Sequence, residues 1–321
     1  MNRKIFFFIF LLQFLLFSCG TNQPNTDELK KKYGDLSETR IKLIPVDYTK
    51  TPINKKIKHH PENYIFLDKI DIFSMAYLSD GLFITGFLVA PKNKGNFPTV
   101  ILNRGGAGEN GRLLVANAVE IMAPIAAEGY VVAASNYRGN SGSEGKEEFG
   151  GAEVRDVLNL IDALSYIQKA DTSKVGLLGI SRGGMMNYLT LLENDHSHIR
   201  AVVSIGGITD LITTIDHHTE IGEVAKTYIP EFQAQPEESL KKRSVVYRMK
   251  ELPDSIPLLI LHSTSDTHVT YKQIPAFEDS LKKYDIPYKL ISFENDTHGL
   301  SGNKEEVFRL ILDWFNTYLK S

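Results

Sequence analysis

Cysteine is nearly missing from this chain: Cys19 is the only one in 321 residues. No intrachain disulfide can staple the fold, and cysteine-based metal ligation goes with it. A basic surplus is missing too. Thirty-six Lys and Arg face 39 Asp and Glu, a net charge of −3, so nothing is left over to neutralise phosphates and nucleic acid is excluded as a partner. The longest apolar run, residues 5–17, is broken by Gln13 and falls short of the ~20 residues of a membrane-spanning helix. No internal repeat is visible. The glycine-rich stretch Gly139-Asn140-Ser141-Gly142-Ser143-Glu144-Gly145 lacks the Lys-Ser/Thr ending of a phosphate-binding loop. His59-His60 has no acidic or cysteine partner at ligand spacing and reads as solvated linker, so neither a metal nor an organic cofactor is implied.

What is present is an ordinary globular composition, 42% hydrophobic and 23% charged, long enough for one large α/β domain with a sizeable core. Two preludes come before it. Arg3 and Lys4 followed by the apolar run make a secretory signal pattern ending Leu16-Phe17-Ser18-Cys19. A small residue before Cys resembles the lipobox of bacterial lipoproteins. That resemblance implies a signal peptide over residues 1–18, lipid attachment at Cys19 and a place in the bacterial cell envelope, at the outer membrane on its periplasmic or surface face. Residues 19–60 are polar and read as a tether, of which 36–46 could dock on the body.

From residue 61 onward, strand-like runs alternate with helical periodicity. Residues 64–78 and 82–90 flank the turn signal Ser79-Asp80-Gly81 and read as an edge hairpin. Further strands are expected at 97–103, 130–135, 175–180, 199–205, 257–261 and 288–293. The helix between the strands at 97 and 130 contains Pro124, which should kink or split it. Val154, Val157, Leu158, Ile161 and Leu164 share one helical face, and the charges Glu153, Arg155, Asp156 and Asp162 are expected mostly in solvent. Residues 209–252 break the alternation and read as a small helical cap. The expected fold class is α/β: a mostly parallel, twisted sheet of about eight strands with helices on both faces.

The chemistry centres on Val175-Gly176-Leu177-Leu178-Gly179-Ile180-Ser181-Arg182-Gly183-Gly184, an apolar run ending in Gly-x-Ser-x-Gly with a helix behind it. This is the pattern of a nucleophile elbow. A serine needs a base, and the base an orienting carboxylate, in the order Ser, acid, His. Of nine histidines, His298 alone follows the last strand and precedes the last helix. Asp266 follows the penultimate strand, and Asp210 is its main rival. Asp296 is too near His298 and suits the turn. The oxyanion donors expected are the Arg182 N–H and the loop Arg104-Gly105-Gly106, with Arg104 offering backbone or guanidinium.

The segments 136–142, 179–184, 261–269 and 296–299 together look like the catalytic domain of the prolyl oligopeptidase family (peptidase S9), over roughly residues 97–319, which implies the α/β-hydrolase fold. That resemblance implies a Ser-Asp-His triad carried onto Ser181, Asp266 and His298, acting on a short peptide or small-molecule substrate. Two positions depart from the pattern. Arg182 stands where the family often has Tyr, and Arg104 where it often has Tyr or His. About ninety residues precede Phe97, too few for the β-propeller of the large members. A carboxylesterase on small or carbohydrate-linked esters and a catalytically silent ligand-binding lipoprotein are the alternatives.

Overall fold

The computed structural model describes residues 26–193 and 197–320; the signal pattern and Cys19 lie outside them. Nine strands form one sheet: β1 (Ile41–Pro45), β2 (Ile70–Ser79), β3 (Leu82–Pro91), β4 (Phe97–Asn103), β5 (Val131–Ser135), β6 (Ala170–Ile180), β7 (Ile199–Ile205), β8 (Leu258–Ser263) and β9 (Tyr288–Phe293). Their order is β1-β2-β3-β5-β4-β6-β7-β8-β9. Pairings from β1 to β5 are antiparallel along β1-β2-β3-β5, and every pairing from β5 through β9 is parallel. β2 and β3 are joined by Asp80 and Gly81, both at positive φ (51° and 82°), the mirror-image turn whose twist suits a two-residue hairpin. The parallel strands β5 and β8 are buried along their whole length, as a sheet covered on both faces requires.

Helices supply the crossovers: α1 (Thr26–Tyr33), α2 (Ile53–His59), α3 (Val115–Asn117), α4 (Ala123–Ala127), α5 (Val154–Leu164), α6 (Arg182–Leu191), α7 (Leu211–His217), α8 (Thr219–Tyr228), α9 (Pro236–Lys242), α10 (Gln273–Lys283) and α11 (Lys304–Leu319). One apolar layer gathers Val157 and Leu164 of α5, Met185 of α6 and Phe277 of α10. The opposite layer holds Met122, Ala126 and, from α11, Ile311 and Phe315. The helix that contains Pro124 is split, as expected, into α3 and α4. Residues 118–122 form one π-helical turn in which the Ala123 N–H bonds the Ala118 carbonyl, and the wider turn carries the chain past a residue with no N–H of its own. The insert at 209–252 holds α7, α8 and α9, packed through Leu211, Ala225 and Leu240.

Two expectations change. The sheet has a ninth strand, β1, and residues 26–60 are no free tether. Leu29, Tyr33 and Leu36 pack with Ala76 and Phe83, Ile41 joins the main apolar layer, and Ile53 the opposite one. Docking of residues 36–46 is as expected, whereas Leu29, Tyr33 and Ile53, single apolar residues in a polar stretch, escape a composition-based reading. β2 itself starts at Ile70, because residues 61–69 turn in two short 3₁₀ helices. Among the described residues no helix is long and apolar enough to cross a membrane. Leu36 is fully buried, so Leu36→Ala should destabilise the protein by about 2–5 kcal/mol in chemical denaturation. An unchanged midpoint would return this segment to the status of a tether.

Candidate active site

β6 runs apolar and buried into a turn that only small residues permit. Ser181 sits at φ 59° and ψ −124°, a strained conformation for a residue with a side chain. A side chain on Gly179 would strike the carbonyl of Gly183, and one on Gly183 the carbonyl of Asn103. α6 starts at once with Arg182, so the first N–H groups of that helix are left free of intrahelical partners beside Ser181. The Ser181 N–H donates to the Ile205 carbonyl at 2.8 Å, fastening the elbow to the end of β7.

The loop after β4 lies against this elbow. A Cβ on Gly105 would come 3.1 Å from the Ile180 carbonyl oxygen and 3.2 Å from the Ser181 Cβ. Among the described residues no group accepts from the N–H of Gly105 or of Gly106.

On the other side, the His298 ring nitrogen Nδ1 is 2.6 Å from Asp266 Oδ2. The second Asp266 oxygen accepts from the N–H groups of His268 (2.8 Å) and Val269 (2.9 Å). Burial alone would raise the Asp266 pKa. The contacts to His262, His298 and the Val269 N–H outweigh it and hold the carboxyl well below its usual range. His298 packs on the turn after β7, where a Cβ on Gly206 would lie 2.9 Å from its Nδ1. Asp266 and His298 thus meet across the loops after β8 and β9, at the same carboxyl end of the sheet that carries the Ser181 elbow, the place where open α/β sheets carry their sites. Ser263 Oγ donates to the Asp296 carbonyl at 2.7 Å and ties the acid-bearing loop to the histidine-bearing one.

The rival acids are occupied elsewhere. Asp210 caps α7, accepting from the Ile212 N–H at 3.0 Å and from Thr213 Oγ1 at 2.6 Å. Asp296 folds its own turn through the N–H groups of Thr297 and Gly302. One neighbour escaped the sequence reading. His262 is fully buried, with Nε2 2.9 Å from the Val269 carbonyl oxygen and 3.4 Å from Asp266 Oδ2. Its spacing of four before Asp266, at a strand end, was the only sequence signal. The His268 ring stacks on His298 (5.2 Å, 24°) and on His218 of the cap (5.6 Å, 22°). Burial and the charge of His298 push the His268 pKa down despite Asp266.

The Arg104 guanidinium and the acids Glu153 and Asp156 require the largest correction. The Arg104 guanidinium faces inward and donates to the Asn136 carbonyl (3.1 and 2.8 Å) and the Gly105 carbonyl (3.2 Å), so it is no substrate-facing donor. The Arg182 side chain, 1% exposed, lies between Glu147 and Glu153 and over the rings of Tyr137 and Phe149. Glu153 and Asp156, expected in solvent, are fully buried: Glu153 pairs with Arg182, and Asp156 pairs with Arg138 at 2.7 Å. A helical face that looks polar in sequence is here turned onto buried guanidiniums. Among the described residues no cluster of His, Cys, Asp or Glu could hold a metal ion.

A nine-stranded, mostly parallel sheet with a Gly-x-Ser-x-Gly elbow at its carboxyl end defines an α/β-hydrolase. The sequence profile of the prolyl oligopeptidase family (peptidase S9) matches residues 118–321, and the chain belongs to that family as a serine hydrolase. It is 27% identical over 246 residues to the uncharacterized peptidase YtmA of Bacillus subtilis, covering 76% of this chain and 93% of that one. To the mouse acylamino-acid-releasing enzyme it is 25% identical over 73% of this chain, but it spans only 34% of that protein. The acylaminoacyl peptidase of Pyrococcus horikoshii superposes with a TM-score of 0.69 at 22% identity, over 82% of this chain and 44% of that one.

Because the folded Asp266 pKa lies below its ordinary 3.8, the unfolded chain binds the extra proton first as pH falls. Its stabilising contribution is fully present above that value and is lost as pH drops through the folded pKa. The melting temperature of wild type should fall more steeply below about pH 4.5 than that of Asp266→Asn, as read by calorimetry. Parallel curves would contradict the depressed pKa.

Proposed function

We propose that the protein is a serine peptidase acting through an acyl-enzyme intermediate. The observation that carries this reading is the 2.6 Å contact between His298 and Asp266 at the sheet end that also presents the Ser181 elbow. In the proposed mechanism His298 takes the hydroxyl proton of Ser181 through Nε2, and Ser181 Oγ forms a bond to the scissile carbonyl carbon. Asp266 orients the ring and stabilises the imidazolium. The developing oxyanion accepts from the N–H of Arg182 and from the glycine loop at 105–106. His298 then returns its proton to the leaving amine as the C–N bond breaks. Water, deprotonated by the same histidine, releases the acyl group.

Membership of the prolyl oligopeptidase family and the acylaminoacyl peptidases among its relatives favour an amide over an ester as substrate. The cap supports selection of a short peptide. It reaches the histidine side through the His218–His268 stack and the glycine-loop side through the Tyr228 hydroxyl, which lies against Gly108.

Assays on N-acylaminoacyl p-nitroanilides and on p-nitrophenyl esters test this. Ser181→Ala and His298→Ala should each lose at least about 10³-fold in kcat. Asp266→Asn should lose heavily with the fold intact, and Asp210→Asn should stay near wild type in kcat. Turnover surviving Ser181→Ala would overturn the reading, and turnover of esters with none of anilides would make the protein an esterase.

The pattern ending at Cys19 supports a further part of the proposal, a lipid-anchored protein of the bacterial cell envelope. Metabolic labelling with a palmitate analogue should mark the wild-type chain and not Cys19→Ser. Equal labelling of both would remove the anchor.

A further inference from the structure

The buried charges next to the elbow converge on one short segment, the loop at residues 104–108. Arg182 Nη1 donates to the Gly106 carbonyl at 2.9 Å and also to Glu147. Glu147 turns its other oxygen to the Gly108 N–H at 2.9 Å and to Asn140 Nδ2 at 2.6 Å. Arg104 holds the Gly105 carbonyl at 3.2 Å. Two successive carbonyls of this loop are thus held by guanidiniums, and a third peptide unit by a carboxylate. A trans peptide points its N–H opposite to its C=O, so fixing the carbonyls of Gly105 and Gly106 also fixes where the N–H groups of Gly106 and Ala107 point. Gly106 itself is at φ +70° and Gly108 at φ +54°, conformations that leave the loop little intrinsic preference for this shape.

We propose that Arg182 and Glu147 are positioning residues that hold the oxyanion-binding loop against the Ser181 elbow. Arg182 acts twice: its backbone N–H faces the site, and its side chain reaches under the loop to anchor the opposing donors. The network is closed to bulk solvent. Arg182 and Glu147 are almost fully buried, and the Arg182 head is stacked 4.7 Å over Phe149 and 5.4 Å over Tyr137. Glu153 completes the charge balance, but its remaining contacts go to the N–H groups of Glu148 and Gly150 and not to the glycine loop.

This rests on the serine-hydrolase mechanism proposed above, and the test separates the two. Glu147→Gln and Arg182→Lys are compared with Glu153→Gln for kcat, KM, melting temperature and affinity for a peptide boronic acid, whose tetrahedral oxygen occupies the oxyanion position. Glu147→Gln and Arg182→Lys should lose about 10- to 100-fold in kcat, less than the about 10²–10³ of a deleted donor, with KM within about threefold. Boronate affinity should fall in step with kcat. Glu153→Gln should lose clearly less at a similar cost in melting temperature. Wild-type kcat in a folded Glu147→Gln, losses that follow melting temperature with boronate affinity intact, or an equal loss in Glu153→Gln would each overturn the positioning role. Should the single variants not fold, the combination Glu147→Gln, Arg182→Met removes one buried charge of each sign, leaves Arg104 with Glu153, and should show the same kcat loss. Wild-type kcat there overturns the proposal. Full activity in Ser181→Ala would instead overturn the mechanism beneath it.

Discussion

The structure turns on the tightness of one bend, where β6 hands the chain to α6 at Ser181. The serine takes a left-handed φ, and the chains of Gly179, Gly183 and Asn103 close on one another with no room for a side chain. Strain of this kind costs about 1–3 kcal/mol and persists only where the surroundings over-determine it. Here they do. β6 lies between β4 and β7 at the middle of the parallel run, and the Ser181 N–H is spent on the last carbonyl of β7. With the bend in place, the loops after β4, β7, β8 and β9 meet at it, and Asp266 and His298 come within hydrogen-bond distance of each other across two loops.

Beneath the bend lies an unusual amount of buried charge. Arg104, Arg138, Glu147, Glu153, Asp156 and Arg182 are all sequestered from water. Burial penalises each charged form, yet Glu147 is held below its usual pKa by the guanidiniums of Arg182 and Arg104, while Asp156 is pushed up because burial outweighs Arg138. Arg104 shows the same competition from the cationic side. Burial and the nearby Arg182 pull it down to about 10 against the attraction of Glu147. Such pairs are weak contributors to net stability, because desolvation offsets the Coulomb attraction. Their stronger effect is geometric, since an ion cluster without water has few ways to rearrange. Arg138 applies the same logic one loop further on, binding Asp156 and Asp80 and so fixing the chain between β5 and α5.

Much of this was legible in the residues. The elbow declared itself by glycines flanking a serine between an apolar run and a helix. The order of loops after successive strands singled out His298 and ranked Asp266 over Asp210. What stayed hidden depends on contacts distant in sequence. Leu29, Tyr33 and Ile53 look isolated in a polar stretch until elements distant in sequence bury them. Glu153 and Asp156 look solvated until Arg182 and Arg138 arrive from other loops. The Arg182 side chain could be read only as a departure from a family pattern, because nothing local says that it turns inward to the Gly106 carbonyl. His262 is invisible for the same reason: its partners, Val269 and Asp266, are set by how the loop after β8 closes.

In the proposed mechanism Ser181 is a nucleophile activated by His298. Intact-mass and peptide-mapping spectrometry after treatment with a fluorophosphonate measures it directly. A single adduct is expected, on the peptide containing Ser181, formed far more slowly in His298→Ala. An adduct on a different residue, or one formed at an undiminished rate without His298, would contradict it.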